Sequence, residues 1–267
     1  MRIKFQNAFY LLAVFLFSTL SSFAFSPDTG NDSIKVPSVM LIPYDPIYYL
    51  SDADHDIAAQ SKRDMKEVRN LFRLKSDYYA YAAISKYFKC IDLMHDTANH
   101  AREDLITVFS TLGYQYESPM NVNPEARKLI PDGIKKQETQ NPATATRYKS
   151  IEPDLKYMNA VLGKPALLDV LGEKYGADYF VFLNQFEIKT NYNSCLDIAN
   201  KIYQRTVLLH FSVYDRTGRQ VAGNFAYSFF PSDTSEENEI IRKCFADLGS
   251  SISKSLADAV YAGQVKK

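Results

Sequence analysis

The sequence predicts an α/β (α+β) fold: a single mixed β-sheet of about five strands with helices packed on it, ending in a β-hairpin and a long C-terminal helix. Short apolar runs alternate along the chain with stretches whose apolar residues recur every three or four positions. Two runs of alternating apolar residues, 207–213 and 221–229, flank the turn sequence Asp215-Arg-Thr-Gly218-Arg219. The last segment keeps Ile241, Phe245, Leu248, Ile252, Leu256 and Ala259 on one helical stripe. Helices interleaved with strands in this order pack as layers on one sheet.

Ser38-Val-Met-Leu-Ile-Pro-Tyr44 reads as a buried strand ended by Pro43, and 44–56 as the loop that follows. Ile57, Ser61, Met65, Val68 and Phe72 fall at steps of four, four, three and four, which predicts a helix that 78–87 continues. Residues 88–93 read as a second strand. Asp96 or Thr97 then caps a helix with Ala98, Ala101, Leu105, Val108 and Leu112 inward, ended by Gly113. Between 117 and 153 five prolines and many polar residues predict a long excursion from the body of the fold. A helix over 165–175 closes at Gly176, and 177–188 is apolar on both faces, as a central strand is. Thr234 and Glu237 have the spacing of a capping box at the start of the last helix.

Residues 1–24 have the parts of a cleavable secretory signal. Arg2 and Lys4 precede the apolar run 8–17, and Ser22-Phe-Ala24 places small residues before the expected cut. The expected organisation is a signal (1–24), a flexible leader (25–37) and one domain (38–262) carrying the excursion at 117–153. The expected address is the periplasm or the exterior, with no integral membrane segment after cleavage. Loss of Arg2 and Lys4 leaves 29 basic residues against 31 acidic ones. That near-neutral balance argues against nucleic acid as a partner. Cys90, Cys195 and Cys244 would meet an oxidising compartment, and their spacing leaves three pairings, or none, open.

The early Val39-Met-Leu-Ile-Pro-Tyr44 strand and the later step from Leu167 through Gly176-Ala-Asp178 to Leu183, leading into a hairpin and a final helix, resemble a known group. It comprises the TolB amino-terminal domain, the curli-export lipoproteins and the lipoprotein activators of penicillin-binding proteins. The segment 44–73 also resembles uncharacterised exported proteins of Bacteroidetes. The resemblance implies an envelope-associated protein that works by binding partners. The chain departs from the group in lacking a lipobox cysteine, a following β-propeller and a membrane-spanning hairpin insert, so lipoprotein and pore roles are not carried over.

Asp45, Asp52, Asp54, His55 and Asp56 form the densest acidic cluster after the signal, with Tyr44 and Tyr48 beside it. Asp52, Asp54 and Asp56 alternate as calcium ligands do, yet no Gly and no closing Glu complete an EF-hand. Helix capping and dipole complementation explain the acids equally simply. Asp92, His95, Asp96 and His100 have zinc-type side chains, but His95 and His100 lie about 140° apart around a helix and do not converge from one face. His210 reads as a hydrogen-bonded surface histidine on the polar face of its strand. No nucleophile elbow, His-Glu-x-x-His or phosphate loop is present. The expectation is therefore a non-catalytic binding protein without a cofactor, its partner another envelope or secreted protein. Tyr44, Asp45, Tyr48, Asp52, Asp54, His55 and Asp56, with the excursion, form its expected recognition surface. The alternative is a protein that binds or hydrolyses a small molecule or envelope glycan in a cleft at the strand ends.

Overall fold

The computed structural model describes residues 36–96, 100–120, 148–149, 151 and 154–265, all within the unit Val36–Lys267. The expected signal, most of the leader, most of the excursion and the Thr97 cap lie outside the described residues. In chain order the elements are β1 (Ser38–Ile42), a 3₁₀ turn (Pro46–Tyr48), β2 (Tyr49–Ser51), α1 (Asp54–Ser61), α2 (Met65–Ile84), β3 (Lys89–Asp92) and α3 (Ala101–Thr111). Then come β4 (Leu112–Glu117), β5 (Tyr157–Leu162), α4 (Ala166–Tyr175), β6 (Tyr179–Asp197), β7 (Ile202–Asp215), β8 (Gln220–Pro231) and α5 (Glu237–Val265).

The main sheet has the order β3-β1-β6-β7-β8, with β1 parallel to both β3 and β6, and β6, β7 and β8 antiparallel. β2 continues the edge that β1 begins, pairing with β6 further along at Tyr49↔Phe186. This is the mixed α/β sheet with a closing hairpin and long last helix that the sequence predicts. Gly176, at φ 71°, ends α4 in the left-handed region that glycine enters without cost. Asp178 then ties the start of β6 to β1: its Oδ2 accepts from Ser38 N at 2.8 Å, and its own N–H donates to Ser38 O at 2.8 Å.

The helix read through Ile57 and Phe72 is two helices. Lys62, at φ 54°, stops α1, and Asp64 restarts the chain as α2 through a capping box with Glu67. Met65, expected inward, is consequently exposed. Thr234 and Glu237 do not form their expected box: Glu239 N donates to Glu236, while Glu237 is buried, its N–H donating to Ser61 Oγ at the end of α1 and its carboxylate accepting from Arg63 Nε just beyond. The 44–56 segment is also more than a loop, since it holds the 3₁₀ turn, β2 and the first residues of α1.

Each face of the main sheet has its own core. Val39, Leu41, Val181, Phe186, Val207, Leu209 and Phe211 face α1, α2 and α5. α5 crosses α2 so closely that a methyl group on Gly249 would lie 2.3 Å from Tyr79 O. On the opposite face Met40, Ile42, Phe180 and Phe182 meet α3 and α4. A second sheet that the sequence reading missed, β4 paired antiparallel with β5, covers the rest of that face. Gly113 does not end a helix in a loop, because α3 runs directly into β4 and Glu117 is the last residue of that strand. No helix among the described residues is long and apolar enough to cross a membrane.

Candidate functional site

The acidic segment 44–56 is dispersed by its own contacts. Asp45 caps the 3₁₀ turn by accepting from Ile47 N, and Tyr48 packs its ring 4.3 Å from Tyr114. Tyr44 is buried among Phe186, Arg73 and Asp77, and burial pushes its hydroxyl well above its usual range. Asp52 reaches across to β6, where Thr190 donates from its N–H at 2.8 Å and its hydroxyl at 2.9 Å. Asp54 is buried and accepts from Tyr49 OH and Arg69 Nε, each at 2.7 Å. Asp56 pairs with Arg205 of β7, which is itself held by Thr190, Ser232 O and Ser235. His55 is exposed. Asp52, Asp54 and Asp56 thus answer four different partners, on β6, β2, α2 and β7, and the structure does not bring them together.

A different group of acids converges. β3 ends at Asp92, whose Oδ1 accepts from Met94 N at 2.8 Å and His95 N at 3.3 Å, folding the chain back in an Asx-type turn. The turn sets His95 Nδ1 2.7 Å from Asp92 Oδ2 and 3.5 Å from Asp77 Oδ2. Asp77 comes from α2, one turn after Arg73. Its side chain is 0% exposed and neither carboxylate oxygen has a hydrogen-bond partner, whereas the His95 side chain is 54% exposed. Burial first, and Asp92 second, push the Asp77 carboxyl up to about 9 against the pull of Arg73. One donor atom from each of the three residues fits within a 4.8 Å group, which only this trio achieves among the described residues.

The sequence groups Asp92 and His95 with Asp96 and His100. The structure keeps the first two. His100 stands exposed at the start of α3, 3.7 Å from Glu103. The missing member was Asp77, and its signal was present: it lies three residues before Ala80 and seven before Ile84, on the inward stripe of α2. An acid on a buried stripe calls for a partner.

His210 is also corrected: it is buried, not at the surface. Its Nδ1 accepts from Met158 N at 2.8 Å, and Nε2 lies 3.7 Å from Glu187 Oε1. Burial, aided by the charge of Lys189 on Glu187, pushes the imidazole down to about 3, so the ring is neutral. Gln185 and Glu187, buried beside it, complete a polar patch over which Tyr116 OH donates to Gln185 at 2.8 Å.

Beyond Gln204↔Pro231, the last rung of β8, and Ser51↔Ile188, the last of β2, β6 and β7 pair as strands with each other alone among the described residues, while Lys149 donates to Asn193 O and Gln204 Oε1 at 2.8 Å. Tyr192 (68% exposed) and Ile198 (85%) project there, and Cys195 is exposed with its thiol free. Cys90 and Cys244 are free too, each thiol pushed up to about 12 by burial and therefore unreactive. Comparison of the chain with family models, curated proteins and solved structures gave no match.

Proposed function

We propose that this is an exported, envelope-associated protein, periplasmic or secreted, that works by binding another envelope or secreted protein rather than by catalysis. The signal-like residues 1–24 and the resemblance to the TolB-domain and envelope-lipoprotein group support the address. The β6–β7 hairpin supports the binding reading: it places two large apolar side chains in solvent on a two-stranded arm. The acids first assigned to recognition support the scaffold instead, since they are spent on internal contacts.

A photo-crosslinker at position 198, in cells making the full chain, tests this. One discrete adduct that disappears in Tyr192→Ser is expected. An adduct pattern indifferent to Tyr192, or none at all, overturns the hairpin as the binding element. A second reading, a protein that binds or hydrolyses a small molecule or envelope glycan, draws on the Asp77–Asp92–His95 group. In open α/β sheets, ligands sit outside the carboxyl ends of the strands, where β3 delivers Asp92.

A further inference from the structure

We propose that Asp77, Asp92 and His95 form a binding site for a first-row divalent cation of the zinc class, held by two carboxylates and one imidazole. The inference is independent of the partner-binding reading.

Asp77 carries the case. A carboxylate with no exposure and no hydrogen-bond donor on either oxygen is costly, and native structures compensate such groups. A proton on Asp77, shared with Asp92, would answer the two carboxyl groups alone. A cation answers all three donors at once. Arg73, the neighbouring cation on α2, gives its Nε to the carbonyl of Tyr44 instead.

The donor set selects the ion. One nitrogen and two oxygens suit zinc, manganese or ferrous iron and not a soft monovalent metal. Calcium takes six to eight oxygen ligands, more than the trio offers. The distances fit with little movement. Ligands of one tetrahedral zinc, each about 2.0–2.2 Å from the ion, lie about 3.3–3.5 Å apart. The Asp77–His95 separation of 3.5 Å is already there, and the 2.7 Å Asp92–His95 contact must open slightly. That contact is a hydrogen bond, so His95 must present its Nδ1 lone pair instead. It does so by carrying its single proton on Nε2, while Asp77 enters as the carboxylate and releases any proton to water. The half-exposed imidazole supplies the entry path, and three protein donors leave room for a water or a ligand group on the ion. The bound ion would tie the buried face of α2 to the turn after β3.

Tag-free protein, stripped with chelator and exchanged into metal-free buffer, is titrated calorimetrically with Zn²⁺, and separately with Mn²⁺ and Ca²⁺. One equivalent of Zn²⁺ is expected, bound at about 10 μM or tighter and at least about tenfold more tightly than Mn²⁺, as the Irving–Williams order requires. His95→Ala changes a half-exposed side chain outside regular structure and is expected to fold normally. It should weaken Zn²⁺ at least about tenfold and remove the visible bands of the Co²⁺-loaded protein. Asp77→Asn should weaken Zn²⁺ equally, while His55→Ala and His100→Ala leave the titration unchanged. The proposal is overturned if the unmodified protein shows no saturable Zn²⁺ binding at about 100 μM, if Ca²⁺ binds as tightly as Zn²⁺, or if His95→Ala titrates like the unmodified protein.

Discussion

On the side of the main sheet covered by α1, α2 and α5, β6 and β7 present Val181, Phe186, Ile188, Val207, Leu209 and Phe211. On the other side the same two strands present Asn184, Gln185, Glu187, Gln204, His210 and Ser212, and these are buried as well. The first face is closed by apolar area. The second is closed by hydrogen bonds: β5 lies on it as an edge strand, and side chains of the main sheet meet its backbone. His210 accepts from Met158 N, Asn184 donates to Met158 O, Ser212 accepts from Ala160 N, and Tyr214 OH donates to Ala160 O. Apolar burial is tolerant of direction and indifferent to pH. A hydrogen-bonded layer depends on each donor, each acceptor and the protonation state of its histidine.

The largest effect is expected on the apolar face. The Phe186 ring lies 5.3 Å from Tyr49, 5.7 Å from Phe72 and 5.8 Å from Phe245, so one side chain joins β2, α2 and α5. Phe186→Ala should cost about 3–5 kcal/mol in urea unfolding followed by circular dichroism, with the same loss at pH 7 and pH 5. A loss that varied with pH would break the contrast between the faces.

The next effect belongs to His210 and runs with pH. Its folded pKa of about 3 lies below the unfolded value of 6.5, so between those limits the unfolded chain binds the extra proton. The stabilisation is present in full above pH 6.5 and is lost as the pH falls toward 3. At pH 4.5 the loss relative to pH 7 should be roughly 2–3 kcal/mol. Glu187, 3.7 Å away, would favour the charged ring, but it is already engaged by Lys189, whose charge opposes it. Unfolding at the two pH values, compared between the unmodified protein and His210→Gln, checks the assignment: the change from pH 7 to pH 4.5 should be less favourable in the unmodified protein than in the variant by about that amount. A slope unchanged by His210→Gln would assign the acid sensitivity elsewhere.

The same contrast explains what could be read from the residues alone. Alternation along 207–213 separates apolar from polar side chains correctly, and a 3.6-residue stripe places α5 to within a few residues. Alternation does not say whether the polar face is wet. That depends on β4 and β5, which are distant in sequence and carry polar residues such as Gln115 and Asn159, so the pattern alone places His210 at the surface. The candidate site followed a similar rule. The acids crowded at 52–56 are drawn apart by Thr190, Arg69 and Arg205, while Asp77, fifteen residues before Asp92, meets it through the α2–β3 connection. Density along the chain is set locally, and convergence in space is set by topology. The Gly176-Ala-Asp178 step was legible because both of its roles, ending α4 and clamping Ser38, lie within a few residues of the motif or of the β1 start.

The smallest of these effects is also the most local. Asn184 sits at the register shift of β6, fully buried, and its amide nitrogen donates to Met158 O at 2.8 Å and Ser212 Oγ at 2.7 Å. A residue displaced by a bulge is re-aimed out of the ladder, and here it is aimed at the strand lying on top. Asn184→Ala removes both bonds and leaves the Met158 carbonyl facing an apolar methyl, at a cost of about 2 kcal/mol. Because β5 is held to the sheet side chain by side chain, that cost should appear where β5 is. Amide exchange in 112–117 and 157–162 should quicken about tenfold or more, while β1 and α5 change little. Phe186→Ala, by contrast, should raise exchange throughout the helical face. Equal acceleration on both faces in Asn184→Ala would mean that the two layers unfold as one unit, and that the hydrogen-bonded face is no more independent than the apolar one.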